Sequence, residues 1–373
     1  MRITFGRAAA LAAVPVLALT LGATSASAQP AGGTPPPPKG FEADSVSFVS
    51  ARTGFVLGSR HCGDLPCPAR LRKTVNGGRT WKPVSVPAVS LVPTFTGTPA
   101  SAVSTVRFEN ARDGWLFGPA LWATTDGGRH WHRVSLPGSA GRAVVALAAS
   151  DGVVFAASEP VNGSLNAARL YRSRVGGGRW TLVRGVSPAA ALTVSGHSVW
   201  AGIAPKLWRS TDSGRHWTRL SFRCPANAPD ATQVAAASAA HVAVACSNPA
   251  FPQPGLSVKK VFTSANGGAT FRRAGRPAEE GEAYQLAMVP GHPKVMTLTA
   301  ASGATFLYRT ATGGKKWRMA TFADGGLGVR DLAYVSATTG YLIHDSGGPA
   351  IAYGQGLMKS VNAGATWKAV AIP

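Results

Sequence analysis

The chain has 373 residues, and 38 Lys and Arg against 16 Asp and Glu give it a formal charge of +22. Such a surplus favours polyanionic partners such as anionic envelope polymers, phospholipid headgroups or nucleic acid, although codon bias in a GC-rich genome would raise it too. Beyond residue 28 no uninterrupted apolar run approaches the ~20 residues a membrane-spanning helix needs, which argues against an integral membrane protein of helical type.

Residues 1–28 read as a secretory signal peptide. Arg2 and Arg7 charge its start, AAALAAVPVLALTLGA forms a short apolar core, and Ala26-Ser27-Ala28 closes it as a cleavage site. No Cys stands near that site to accept a lipid, so the expected product is secreted and extracellular, and loss of Arg2 and Arg7 leaves it at +20. Residues 29–40, QPAGGTPPPPKG, read as a Pro- and Gly-rich linker. Residues 41–373 are expected to form a single domain.

From there the chain repeats itself. VSFVSARTGFVLGS, VRFENARDGWLFGP, VVALAASDGVVFAAS, LTVSGHSVWAGI, VAAASAAHVAVACS, LAMVPGHPKVMTLTA and LAYVSATTGYLIHD each predict strand, polar turn, strand. After each comes a third strand, a glycine-bearing turn and a fourth strand. The seven turns are TVNGGRTW, TTDGGRHW, SRVGGGRW, STDSGRHW, SANGGATF, TATGGKKW and SVNAGATW. Ser or Thr opens every copy. The third position holds Asn76, Asp126, Asp212, Asn266 and Asn362, with Val175 and Thr312 departing from the pattern. Glycine holds the fifth (Gly78, Gly128, Gly177, Gly214, Gly268, Gly314, Gly364), and an aromatic closes each copy (Trp81, Trp131, Trp180, Trp217, Phe271, Trp317, Trp367). A short polar side chain can bond amides inside a tight turn, and glycine accepts a positive φ without steric cost.

Seven such meanders predict an all-β fold, a seven-bladed β-propeller of four-stranded antiparallel blades. Because the third copy lacks its Asx residue, six blades plus a degenerate unit is the competing count. Closure of the ring by strand exchange is not evident, since the seventh unit ends with its own fourth strand.

Of the three pairings open to four cysteines, the local one is preferred, Cys62 with Cys67 and Cys224 with Cys246. A zinc site built from all four fits poorly, because Cys224 and Cys246 lack the tight spacing of a ligand pair.

The turns, together with the glycine-aromatic strands at Gly54–Gly58 and Gly114–Gly118, resemble the BNR or Asp-box repeat family in a secreted actinobacterial form. That family includes sialidases, xyloglucan-type glycoside hydrolases, sortilin-type receptors and photosystem II assembly-factor-like propellers. The resemblance implies that the turns lie on the outer part of each blade, away from the axial cleft where ligands bind, so Asp126 and Asp212 are read as turn residues. It does not choose between enzyme and binding module.

A sialidase would need a Tyr nucleophile with a Glu partner, and EEGEAY offers Glu282 and Tyr284, which also suit a solvated acidic loop. The marker Arg-Ile-Pro is missing. No cofactor or metal motif is present, and His130 and His132 read as an exposed pair flanking Trp131. The residue after the turn glycine is basic in Arg79, Arg129, Arg215 and Lys315, with Arg179 one place further on. Repeated at one place per blade, these side chains predict a positive rim, to which Lys73, Arg172, Arg209, Arg309 and Lys359 would add. The expectation is a monomeric, non-enzymatic binding or scaffold module for an anionic envelope polymer, glycan or protein, with nucleic acid not expected. An exo-sialidase-like glycoside hydrolase is the alternative.

Overall fold

The computed structural model describes residues 40–60, 67–91, 101–161, 167–186, 191–202, 207–248, 256–302, 304–322, 328–346 and 354–373. Among them there is no α-helix, and strands dominate. Seven sheets each contain four antiparallel strands in sequence order. Blade 1 comprises Phe41–Phe48, Gly54–Arg60, Arg70–Thr74 and Lys82–Val84; blade 7 comprises Gly328–Tyr334, Gly340–Ser346, Gly354–Ser360 and Lys368–Val370. The third unit, without its Asx residue, is still a full blade: Arg142–Ser150, Val153–Pro160, Arg169–Arg174 and Thr181–Val183.

The first strand of each blade touches the first strands of both neighbours, and blade 1 meets blade 7 in the same way. First strands therefore line an axis and the sheets radiate from it, which is the arrangement of a seven-bladed β-propeller. Two apolar faces per sheet drive this, since each face is covered only if another blade lies against it. Seven apolar clusters result, one per blade interface. Phe55, Leu57 and Leu71 of blade 1 meet Val106, Phe108 and Leu116 of blade 2, for example, and Val46 and Val56 meet Tyr341 and Ile343 of blade 7. At ~25 cal/mol per Å², these interfaces are the main favourable term.

No strand is exchanged at the closure. The interface between blades 7 and 1 instead repeats the aromatic stack of its neighbour. Phe48 lies 3.5 Å from Tyr341, as Phe108 lies 3.5 Å from Phe55, both pairs nearly parallel. Each of these first-strand rings pairs with a glycine on the second strand, Phe48 with Gly54 and Phe108 with Gly114, so the strand glycines make room for the stack.

Cys224 and Cys246 form a disulfide that ties the approach to blade 5 to its second strand. Cys67 is also disulfide-bonded, and Cys62 lies outside the described residues. No helix among the described residues is long and apolar enough to cross a membrane. The expected signal peptide and nearly all of the linker also lie outside them.

Candidate functional site

Two surfaces gather polar groups in a pattern: the rim carrying the repeated turns, and the axis.

On the rim, the turns share one hydrogen-bond scheme. Thr74 Oγ1 donates to Asn76 Oδ1 (3.0 Å) and accepts the amides of Asn76 (3.3 Å) and Gly78 (2.9 Å), while Asn76 Oδ1 accepts the amide of Thr80 (2.9 Å). The scheme recurs around Asp126, Asp212, Asn266 and Asn362, and Thr312 reproduces it with a hydroxyl that accepts the Lys316 amide at 2.9 Å. In the third turn Val175 cannot, and Ser173 Oγ bonds the carbonyls of Arg174 and Arg179 instead. Gly128 shows why the fifth position is glycine. Its φ is +90°, and a Cβ there would lie 2.5 Å from Val84 Cγ1 of the preceding blade.

Asp126 and Asp212 are spent on this geometry. Amide hydrogen bonds, first among them from His130 and His216, hold both carboxyls well below the usual carboxylate range, and the two imidazoles add their own bonds at 2.6 and 2.5 Å. His132 stays exposed on the fourth strand of blade 2. A Ser-His-Asp grouping at the boundary of blades 3 and 4 is no relay: Ser213 Oγ (3.0 Å) and Asp151 Oδ2 (3.5 Å) approach the same nitrogen, His197 Nδ1.

Arg79, Arg129, Arg179, Arg215 and Lys315 are all exposed, and among the described residues none has a side-chain hydrogen bond or ion pair. The third-strand cations, expected to add to the rim, make ties that the turn cations do not. Each precedes the Ser or Thr of its own turn and reaches the next blade. Arg172 Nε donates to Ser213 O (2.6 Å), Arg209 Nη1 to Asn266 O (3.3 Å), Arg309 Nε to Ala363 O (2.7 Å) and Lys359 Nζ to Gly77 O (2.9 Å). Lys73 Nζ reaches Ala111 O at 3.4 Å. These are ties between blades, and the Lys359 tie helps close the ring. Three of them also lie over second-strand aromatics: Lys73 over Phe55, Arg209 over Trp200 and Lys359 over Tyr341.

At the axis, five first strands carry a bulge at the same place. The extra residues are Asp44, Val145, Thr232, Tyr284 and Arg330. A bulge interrupts the ladder at one residue of the strand. Arg330 Nη1 meets Asp44 Oδ1 at 3.0 Å across the closure. Beside it, Arg107 of blade 2 reaches past blade 1 to Asp331 of blade 7 through two bonds, Nη1 to Oδ2 (2.8 Å) and Nη2 to Oδ1 (3.0 Å). Asp331 also accepts from Ser45 Oγ (2.8 Å) and the Val46 amide (3.0 Å). One carboxylate thus fastens three blades. Sequence reasoning missed this clasp because its members occur once each, with no repeat to announce them.

Of the sialidase-type candidates, Tyr284 sits on the bulge of blade 6 and its side chain lies outside the described residues, while Glu282 is exposed at the start of that strand. The neighbouring acidic stretch has a structural task. Fully buried Lys259 donates to the carbonyls of Ser257 (3.0 Å), Glu279 (2.9 Å), Glu280 (3.1 Å) and Gly281 (2.7 Å), so the loop entering blade 6 wraps an ammonium. Burial pushes that ammonium down to about 8, opposed by Glu280 and Glu279. Among the described residues no cluster of His, Cys, Asp and Glu is placed to hold a metal ion.

No protein-family model matches the chain, and no curated protein matches it. Solved structures do. YCF48 from Cyanidioschyzon merolae superposes with a TM-score of 0.55 at 14% identity, over 89% of this chain and 98% of that one. They share a fold. An ancestral GH74 enzyme superposes at 0.53 and 13% identity over 88% of this chain, which spans 44% of the enzyme. A Trypanosoma rangeli sialidase aligns at 0.41 and 12% identity, over 87% of this chain and 54% of its own. The first two likenesses support the shared fold alone and leave activity open.

Proposed function

We propose that this chain is an exported Asp-box repeat propeller acting as a non-enzymatic binding module for an anionic envelope polymer or glycan. The observation that carries the reading is the behaviour of the rim cations. Arg79, Arg129, Arg179, Arg215 and Lys315 stand at nearly the same place in five turns, exposed and without acidic partners, while the third-strand cations beside them are used by the fold. A charge array that the fold does not neutralise attracts a polyanion, with affinity that falls as salt rises. The paired Cys224 and Cys246 suit an oxidising compartment. The test is retention of the mature protein on anionic envelope polymer at about 0.15 M salt. Retention should be lost when Arg79, Arg129 and Arg215 are changed together to Glu; retention unaffected by those changes overturns the reading.

A sialidase-like glycoside hydrolase is the second reading, supported by the place of Tyr284 on an axial bulge two residues beyond Glu282. Turnover of a fluorogenic sialoside, abolished by Tyr284→Phe and Glu282→Gln, would put it first.

A further inference from the structure

Two adjacent blade boundaries carry the same three cations in the same places. A groove of about 430 Å³ between blades 7 and 1 is lined by Lys359, Lys368 and Arg79. A groove of about 410 Å³ between blades 1 and 2 is lined by Lys73, Lys82 and Arg129. In each, two lysines are direct cross-strand partners, Lys359 with Lys368 and Lys73 with Lys82, and the arginine comes from the turn of the next blade. Like charges placed directly opposite destabilise a sheet; the ties of Lys359 and Lys73 to the next blade account for one member of each pair, while Lys368 and Lys82 are exposed and have no side-chain hydrogen bond or ion pair among the described residues. Burial and the neighbouring Arg79 lower the pKa of Lys359, and burial and Arg129 lower that of Lys73.

No free carboxylate in either groove offsets the repulsion. The first groove is lined by no carboxylate, and in the second Asp126 is turned to the amides of Arg129 and His130 and to the His130 ring. Elsewhere the triad is incomplete. Arg309 does pair with Arg318, but Ala365 stands where the third cation would be. The tie to the next blade occupies one donor of Lys359 and one of Lys73, leaving two on each ammonium for a ligand.

The grooves also share an apolar shoulder. Val75 and Val361, at the second position of their turns, are 59% and 64% exposed. An aliphatic segment between charged groups would cover them. Neither groove exposes an aromatic ring on which a base could stack, as a single-stranded nucleic acid would require.

Resting on the binding reading above, we propose that the two grooves flanking blade 1 form a tandem site for a linear phosphodiester polymer with an aliphatic backbone, one phosphate held in each groove. Titration calorimetry at about 0.15 M salt tests this with a synthetic glycerol-phosphate oligomer of about ten units, monomeric glycerol phosphate and an oligothymidylate of equal charge. The oligomer should bind at least about tenfold more tightly than the monomer, because engaging the first groove raises the effective concentration at the second. Arg79→Gln with Lys368→Gln, or Lys82→Gln with Arg129→Gln, should each remove that advantage, and thermal melts of these exposed-site variants report that the fold is intact. Arg184→Gln with Arg223→Gln, exposed cations outside the turns, should leave affinity within about twofold. An equal loss from that last pair would mean diffuse charge attraction, overturning the tandem site while the binding reading stands. Tighter binding of the oligothymidylate would overturn it in favour of nucleic acid. Retention on envelope polymer without oligomer binding sinks the tandem site alone, and absence of both sinks the binding reading too.

Discussion

Asn76 and Asp126 do the same work in their turns with the same oxygen, and the difference between them is a charge. That difference has a pH consequence. The carboxyls of Asp126 and Asp212 titrate lower in the folded state than in the unfolded chain, where Asp ionises near about 3.9. Their contribution is therefore fully present above that value and is lost as pH falls below it. Asp126→Asn with Asp212→Asn keeps the turns, as the natural Asn copies do, and should flatten the acid limb of melting temperature against pH between about 4 and 2. Lys259 invites a second substitution. Lys259→Met removes the donor shared by four carbonyls and should lower stability by about 2–4 kcal/mol in urea unfolding, since buried acceptors left unpaired are costly. The exposure of the rim cations was legible, because their places in the repeat are local facts. The cage around Lys259 was not, because three of its four carbonyl acceptors lie some twenty residues away.

At the scale of strands and turns, the repeat settles the blade. Hairpin, third strand, turn and fourth strand are all encoded within about fifty residues, and the turn chemistry uses near neighbours alone. What joins one blade to the next is encoded less regularly. The third-strand cations tie five boundaries, and the clasp around Asp331 joins blades 7, 1 and 2. Asp331→Ala leaves Arg107, Ser45 and the Val46 amide without their acceptor and should cost about 3–5 kcal/mol, read as a lowered urea midpoint. Arg107→Met, which removes the charge but leaves Asp331 bonded to Ser45 and Val46, should cost less.

For the whole molecule, closure without strand exchange makes connectivity testable. Each blade is four consecutive strands, and Arg72 of blade 1 lies over the Phe41 ring and donates to Pro373 O (3.2 Å), so Phe41 and Pro373 both lie beside it. A circular permutant that starts at Thr105 and joins Pro373 to Phe41 through a short Gly-Ser linker should keep the β-rich circular dichroism spectrum and melt within about 5 °C of the parent. Reducing the Cys224–Cys246 disulfide, which closes a loop of 22 residues, should lower stability by about 3 kcal/mol in the chain-entropy account.

Residue order alone determined the four-stranded repeat, the place of each turn and the exposure of the turn cations, because these follow from hydrogen bonds, periodicity and glycine conformations within one repeat; the structure settled the count at seven by showing the third unit to be a full blade. Only the tertiary structure decided which cations remain free and which are drawn into neighbouring blades, how the ring is sealed at Asp331 and Lys359, and that two complete cation triads fall side by side around blade 1. Those outcomes depend on pairs separated by tens to hundreds of residues, and their distances are set by the closing of the ring rather than by any local spacing.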